Sequence, residues 1–222
     1  MIATESPKPG FAPQITVLPP MPEPSAVDEV NHRVANSLQL LAAMVSIEAR
    51  GIVDPLALAA LDMTQRRIGA IAGVHRLLYQ VRDARSVDMA AYLGELAGDL
   101  EQSCADAAGG RHVRIDAEAL HLPADNATAI GIIVSELVGN ACKYAYDPGQ
   151  SGDIQISLRA MPFGGYQLEV SDRGRGMAGG VAPQGTGLGT RLIAMMADRL
   201  RARYAWRDMR PGTCFTLLVD RC

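Results

Sequence analysis

The hydrophobic positions in the first third of the chain recur with helical spacing and predict two long helices. Between Ser25 and about Arg50, apolar residues return every three or four positions, which is typical of one face of an α-helix. Gly51 ends this pattern. Asp54 and Pro55 then supply an N-cap and a first-turn proline for a second helix. Because the connection is so short, the two helices are expected to form an antiparallel hairpin.

Each of these helices carries one apolar stripe. The first stripe contains Val27, Val30, Val34, Leu38, Leu41 and Val45, and the second contains Leu61, Ile68, Ile71, Val74, Leu78 and Val81. A single hairpin buries too little apolar surface to be stable by itself, and pairing with a second copy would complete a four-helix bundle. The pattern therefore predicts a homodimer through residues 26–82.

Beyond residue 85 the pattern changes to alternating helices and strands. Helices are predicted at 87–104, 123–146 and 189–200, and strands at 112–122, 153–160, 166–171, 201–208 and 213–220. Short strand-to-strand turns within a mixed order indicate an α+β sandwich, in which helices cover one sheet. The predicted organisation is a proline-rich disordered tail at 1–24, a helical hairpin at 25–84 and an α+β domain at 85–222.

Composition narrows the class of protein. A net charge of −3 and a pI near 5.8 give no indication of nucleic-acid binding. No apolar run approaches the roughly 20 residues that span a bilayer, so direct membrane insertion is not expected. The four cysteines, at 104, 142, 214 and 222, lack metal-ligand spacing and are interpreted as free thiols. These features favour a cytoplasmic protein.

His32 is the first candidate functional residue. At about 100° per residue it lies roughly 160° from the centre of the apolar stripe of the first helix. The imidazole is therefore expected to point away from the packed face. Considered alone, a histidine in this position is most often an ordinary surface residue.

Three polar residues of the predicted helix 123–146 form the next candidate site. Glu136, Asn140 and Lys143 are spaced at i, i+4 and i+7, so they are expected to project together from the side opposite the apolar face. Oxygen ligands from the first two suit Mg²⁺, and the ammonium of the third can offset phosphate charge. Such a trio would suit a magnesium-bound polyphosphate.

Two glycine-rich segments follow. Asp172 begins an Asp-Arg-Gly-Arg-Gly sequence at the end of a strand, where a carboxylate can accept a hydrogen bond from an exocyclic amine and Gly174 and Gly176 allow close backbone approach. The second segment, Gly-Thr-Gly-Leu-Gly at residues 185–189, opens a helix and presents backbone N–H groups to phosphate.

Together these segments, with Pro-Gly-Thr-Cys-Phe at 211–215, resemble the nucleotide-binding motifs of the GHKL ATPase superfamily. The helix from Glu29 to Asn36, followed by Leu38-Gln39, resembles the HRxxN-type H-box of one class of bacterial sensor histidine kinases. Segments at 65–68, 74–79 and 87–93 are similar to the same class.

This resemblance implies an autokinase that uses ATP and Mg²⁺. It implies His32 as the phosphoacceptor, with Glu29 and Glu136 as candidate bases, and Asn140 and Glu136 as magnesium ligands. The implied nucleotide-binding residues are Asn140, Lys143, Asp172, Gly174, Gly176, Gly185, Gly187, Leu188, Gly189 and Thr213. A response-regulator receiver domain is the implied phosphoryl acceptor. Input is expected through the N-terminal tail, a separate sensor protein or a membrane receptor encoded elsewhere.

The chain also departs from the usual motifs. Ala35 and Ser37 replace lysine and asparagine of the H-box, while Ser135 and Gly139 replace asparagine and threonine of the following motif. These departures leave two alternatives open. One is a histidine phosphotransfer protein whose ATP domain is degenerate, and the other is a GHKL-type scaffold or anti-sigma binding module.

Overall fold

A computed structural model describes residues 26–80, 86–105, 110–147, 149–176 and 188–220. Helices α1 to α5 span Ala26–Ala49, Pro55–Gln80, Met89–Ala105, Ala124–Asn140 and Leu188–Arg199. Strands β1 to β7 span Ser86–Asp88, Arg111–Ala117, His121–Pro123, Gly152–Ala160, Tyr166–Asp172, Arg203–Asp208 and Thr213–Val219. None of the helices in these ranges is long and apolar enough to cross a bilayer.

Helices α1 and α2 form the predicted antiparallel hairpin. Asp54 caps α2, because its Oδ1 accepts the backbone N–H of Leu56 at 2.9 Å. The register is fixed near the turn by Gln65, whose Nε2 donates to the carbonyl of Ala42 at 3.3 Å. The predicted capping role of Ser25 lies outside the described residues.

The second half of the chain forms a five-stranded sheet in the order β2-β4-β5-β7-β6. β2 and β4 are parallel, and the other neighbours are antiparallel. Alternate positions such as Ile154, Ile156 and Leu158 are completely buried on one face, and α3, α4 and α5 contribute to the same core. The short strands β1 and β3 pair separately. The predicted α+β sandwich is confirmed.

The hairpin packs tightly against this domain through α2. Tyr92 of α3 is 1% exposed, and its hydroxyl donates to the carbonyl of Ala70 in α2 at 2.8 Å. Its ring also packs on Gly131 of α4, where an added Cβ would lie only 1.7 Å from the hydroxyl oxygen. A side chain at this glycine is therefore excluded, and the three helices share one core.

Some local predictions need correction. The predicted helix 123–146 is α-helical only to Asn140, after which residues Ala141–Ala145 form a single π-helical turn. The predicted strand 112–122 is two strands, β2 and β3, that belong to different sheets.

The interpretation of all cysteines as free thiols is wrong for one pair. Cys104 and Cys142 form a disulfide with a Cα–Cα distance of 5.9 Å. Packing of α3 beside the end of α4 brings them together, and their 38-residue separation in sequence gave no indication of this. Cys214 is a buried free thiol, as expected.

Candidate active site

Glu136 is held by an ion pair between the hairpin and the sheet domain. Its Oε1 lies 2.6 Å from Nε of Arg67, and the Glu136 side chain has no exposed surface. The polar side of the helix, from which Glu136 was expected to project, is therefore covered at this position. The reason is that α2 packs over this side of α4 and converts a polar helix face into an interface.

The other oxygen of Glu136 faces the start of α5. Oε2 is buried and has no hydrogen-bond partner among the described residues. A Cβ added at Gly189 would lie 2.9 Å from this oxygen and 3.9 Å from Nδ2 of Asn140. Carboxylate, amide and helix N-terminus thus converge at one point, as the sequence predicted. Leu188 begins α5 and is exposed, whereas Gly185 and Gly187 lie outside the described residues.

Lys143 also contacts the hairpin. Its Nζ lies 3.2 Å from Oδ2 of Asp62 and 3.5 Å from the carbonyl oxygen of Ala59, both in α2. The ammonium group is partly buried, with 25% of the side chain exposed. The predicted polyphosphate site is therefore bordered by α2.

The adenine end of the predicted site is a cleft with about 500 Å³ of empty volume. Oδ1 of Asp172 accepts the N–H of Gly174 at 2.9 Å. Burial raises the pKa of the Asp172 carboxyl above its usual range, and N–H donors from Gly174 and Thr213 partly oppose that shift. A carboxylate has about four acceptor sites, so capacity remains for a ligand amine. The cleft is lined by Leu137, Asn140, Ala141, Tyr144, Ala145, Ile154, Val170, Ser171, Asp172, Gly176, Trp206 and Thr213.

Two glycines of this cleft are structurally required. An added Cβ at Gly174 would lie 2.0 Å from the carbonyl oxygen of Ala145. Gly176 has φ of +73°, a conformation that side chains disfavour. Both glycines of the Asp-Arg-Gly-Arg-Gly sequence thus keep backbone close to the cleft.

A second cavity of about 730 Å³ lies beside the first. Asn140 and Tyr144 line both spaces, so the two cavities adjoin each other. Lys143 and Gly189 line the second cavity from the sheet domain, and Leu56, Ala59, Ala60, Met63, Thr64 and Arg67 line it from α2.

His32 lies on α1 and is exposed, as predicted. The preceding residue, Asn31, has its Oδ1 3.1 Å from Nδ1 of His75 in α2. His75 is partly buried, and burial lowers its pKa below the usual value. His75 is therefore a packed, mostly neutral histidine. The backbone of Glu29 belongs to α1, and its side chain is outside the described part of the structure.

The substitutions in the α4 motif have structural explanations. Ser135 is buried and donates its hydroxyl to the carbonyl of Gly131 at 2.8 Å. At Gly139, an added Cβ would lie 3.1 Å from Nε of Arg66. Gly139 thus leaves room for a guanidinium group from α2, and the glycine belongs to the interface between the hairpin and the sheet domain.

Sequence reasoning missed Asp62 and Arg67 as residues of this site. Arg67 lies in a segment that resembles the kinase class, but nothing in its local pattern indicates a partner 69 positions away. Within the described residues, no cluster of three or more histidine, cysteine or acidic side chains has metal-binding geometry.

Comparisons with known proteins agree with this geometry. Residues 29–104 match a family described as "Histidine kinase", and residues 125–221 match the "Histidine kinase-, DNA gyrase B-, and HSP90-like ATPase" family. The chain is 32% identical over 204 residues to "Blue-light-activated histidine kinase 2" of Erythrobacter litoralis, covering 86% of this chain and 55% of the relative. It is 30% identical over 202 residues to "Sensor histidine kinase PdtaS" of Mycobacterium tuberculosis, covering 88% and 39%.

A solved structure shows the same fold. The histidine kinase domain of the blue-light-activated kinase EL346 from Erythrobacter litoralis has a TM-score of 0.65 at 22% identity, with coverage of 87% of this chain and 94% of that one. The chain spans only about half the length of the curated relatives it matches. It belongs to the histidine kinase family, with a histidine-bearing helical hairpin followed by a GHKL-type ATPase domain.

Proposed function

We propose that this chain is an ATP-dependent protein-histidine kinase that phosphorylates His32. The observation that carries the proposal is a pair of adjoining cavities. Asp172 and Asn140 line the first, and Asn140, Lys143 and Gly189 line the second. These two cavities and an exposed histidine on a family-matched helix occur in one chain.

The chemistry of the lining fits a nucleotide triphosphate. The carboxylate of Asp172 accepts a hydrogen bond from the exocyclic amine of adenine, and apolar side chains such as Ile154 and Val170 contact the ring. Lys143 and the N-terminus of α5 then offset the negative charge of the phosphates.

The residues present also fit a magnesium ion. Glu136 has a buried oxygen without a hydrogen-bond partner among the described residues, and it faces the same point as Asn140. A carboxylate and an amide oxygen are suitable hard ligands, with water and phosphate oxygens completing the shell. When bound, the ion would neutralise charge on the phosphates.

In the proposed reaction a ring nitrogen of His32 attacks the γ-phosphorus of ATP in line. The nitrogen–phosphorus bond forms as the bond to the β–γ bridging oxygen breaks, and ADP leaves with that electron pair. The imidazole proton passes to a base. Glu29, one helical turn before His32, and Glu136 are the candidates.

The phosphoryl group is then proposed to pass to an aspartate on a response-regulator receiver domain. Two of the similar proteins are named as sensor or light-activated kinases. For this chain, we propose that input comes from a sensor segment or sensor protein outside residues 26–220.

We further propose that two copies pair through the hairpin. Leu40, Met44 and Ile47 on α1 follow helical spacing and are 64%, 54% and 63% exposed. These three side chains form an apolar stripe that a second hairpin would cover in a four-helix bundle. Replacing Met44 by Lys is expected to convert a dimer into a monomer in light-scattering measurements. A monomeric wild-type protein would contradict this arrangement.

Incubation with γ-labelled ATP and Mg²⁺ tests the proposed activity. Incorporation of label into the protein is expected. Nucleotide binding without label would favour a scaffold or anti-sigma module, and absence of nucleotide binding would favour a phosphotransfer protein with a degenerate ATP domain.

A further inference from the structure

Helix α2 neutralises two charged groups, one on α4 and one on the π-helical turn that follows it. Arg67 pairs with Glu136 at 2.6 Å, and Asp62 pairs with Lys143 at 3.2 Å. Glu136 and Lys143 are both residues that the proposed function assigns to nucleotide and metal binding. One residue of each bridge, Arg67 and Lys143, lines the cavity that would receive the phosphates.

In this arrangement His32 is out of reach of that cavity. The contact between Asn31 and His75 places His32 level with His75 on α2. Arg67 lies eight residues earlier on α2. At a rise of 1.5 Å per residue, this is about 12 Å along the helix axis, whereas in-line attack requires a separation of about 3–3.5 Å.

Pairing with a second copy does not shorten the distance between His32 and the cavity. If the two hairpins pair in parallel about an axis along the bundle, both copies of His32 lie at the same height. The ATPase domain must therefore move by about two helical turns relative to α2. An arginine side chain cannot span that displacement, so the bridge from Arg67 to Glu136 must break.

We propose that Asp62 and Arg67 form a latch that holds the ATPase domain in a loading arrangement, and that the phosphates of the nucleotide weaken it. This inference rests on the proposed kinase function. The phosphates compete with Asp62 for Lys143 and with Glu136 for Arg67. Nucleotide binding and latch closure therefore oppose each other, and by thermodynamic linkage a chain with a weakened latch binds nucleotide more tightly.

Asp62 is the residue through which the latch is best tested. Its side chain is 41% exposed, so the isosteric variant Asp62→Asn is expected to fold. For a partly exposed ion pair, the expected effect is on the order of two- to fivefold. Asp62→Asn should lower the Kd for a non-hydrolysable ATP analogue and raise the rate of autophosphorylation by about that factor.

Two control variants separate the loss of the bridge to Lys143 from the loss of other contacts or of one negative charge. Asp62 also pairs with Arg66 at 2.7 Å within α2. Arg66→Gln removes that pair and leaves the bridge to Lys143, so it should not tighten binding. Asp99→Asn makes the same change of charge at an exposed position of helix α3, beside a separate groove that Asp62 also lines, and should match wild type.

The experiment is a calorimetric titration of all four proteins with the analogue and Mg²⁺, followed by autophosphorylation rates with ATP. Tighter binding together with a faster rate in Asp62→Asn alone supports the latch, since mere structural damage would lower both. Equal or weaker binding in Asp62→Asn, with a functional wild type, contradicts the latch but leaves the kinase function intact. A wild-type chain that binds no analogue contradicts the proposed function itself.

Discussion

Removing the charge of Arg67 should destabilise the protein, because it leaves Glu136 buried without its counter-charge. The Glu136 side chain has no exposed surface, while that of Arg67 keeps 21%. Breaking one side of a buried ion pair costs about 3–5 kcal/mol of folding free energy. Because Arg67 retains some contact with water, the loss of folding free energy in Arg67→Met is expected near the lower end of this range, at about 3 kcal/mol.

A second substitution should recover much of that loss. In the double variant Arg67→Met/Glu136→Gln, no buried charge remains, so at least about 2 kcal/mol should return. Urea denaturation of the wild type, both single variants and the double variant gives the coupling energy, provided that the m-values agree. A loss below about 1 kcal/mol for Arg67→Met, or simple additivity in the double variant, would refute the docking of α2 on α4.

Three other predictions concern the site and its scaffold. Asp172→Asn should abolish tight ATP binding. It should also raise Tm at pH 7, because burial raises the pKa of this carboxyl and its ionisation therefore destabilises the folded state. The gain in Tm should vanish below pH 3.8, and a lower Tm at pH 7 would contradict this reasoning. Cys104→Ser removes the disulfide, which closes a loop of 38 residues. The free energy of unfolding measured in denaturant under oxidising conditions should fall by about 4 kcal/mol. An equal loss in reduced wild type would show that the missing disulfide is the cause. Gly131→Ala should destabilise the protein strongly, since its Cβ would lie 1.7 Å from the hydroxyl of Tyr92. Gly94→Ala, on open helix surface, should instead stabilise the protein by about 0.5–1 kcal/mol. Similar Tm values for the two variants would refute the packing of Tyr92 on Gly131.

Local patterns predicted the elements well because their causes are local. The N-cap at Asp54, the apolar period of α2 and the alternation in Ile154, Ile156 and Leu158 each depend on residues close together in the chain. The nucleotide motifs were also recognisable, since their glycines meet constraints within a single turn, as φ of Gly176 shows.

Contacts between distant segments could not be predicted in the same way. The burial of Glu136 follows from where α2 docks. The helical periodicity of α4 contains no information about where another helix packs against it. The disulfide of Cys104 and the packing of Tyr92 on Gly131 have the same origin. These features depend on tertiary packing, so sequence spacing carries no signal for them.

The most direct test of the central claim is to identify the phosphorylated side chain. After reaction with γ-labelled ATP and Mg²⁺, the label should be acid-labile and alkali-stable, as expected for phosphohistidine. It should be lost in His32→Ala and kept in His75→Ala, a matched change at the packed histidine of the same hairpin. Label that survives in His32→Ala, or that resists acid, would contradict the account.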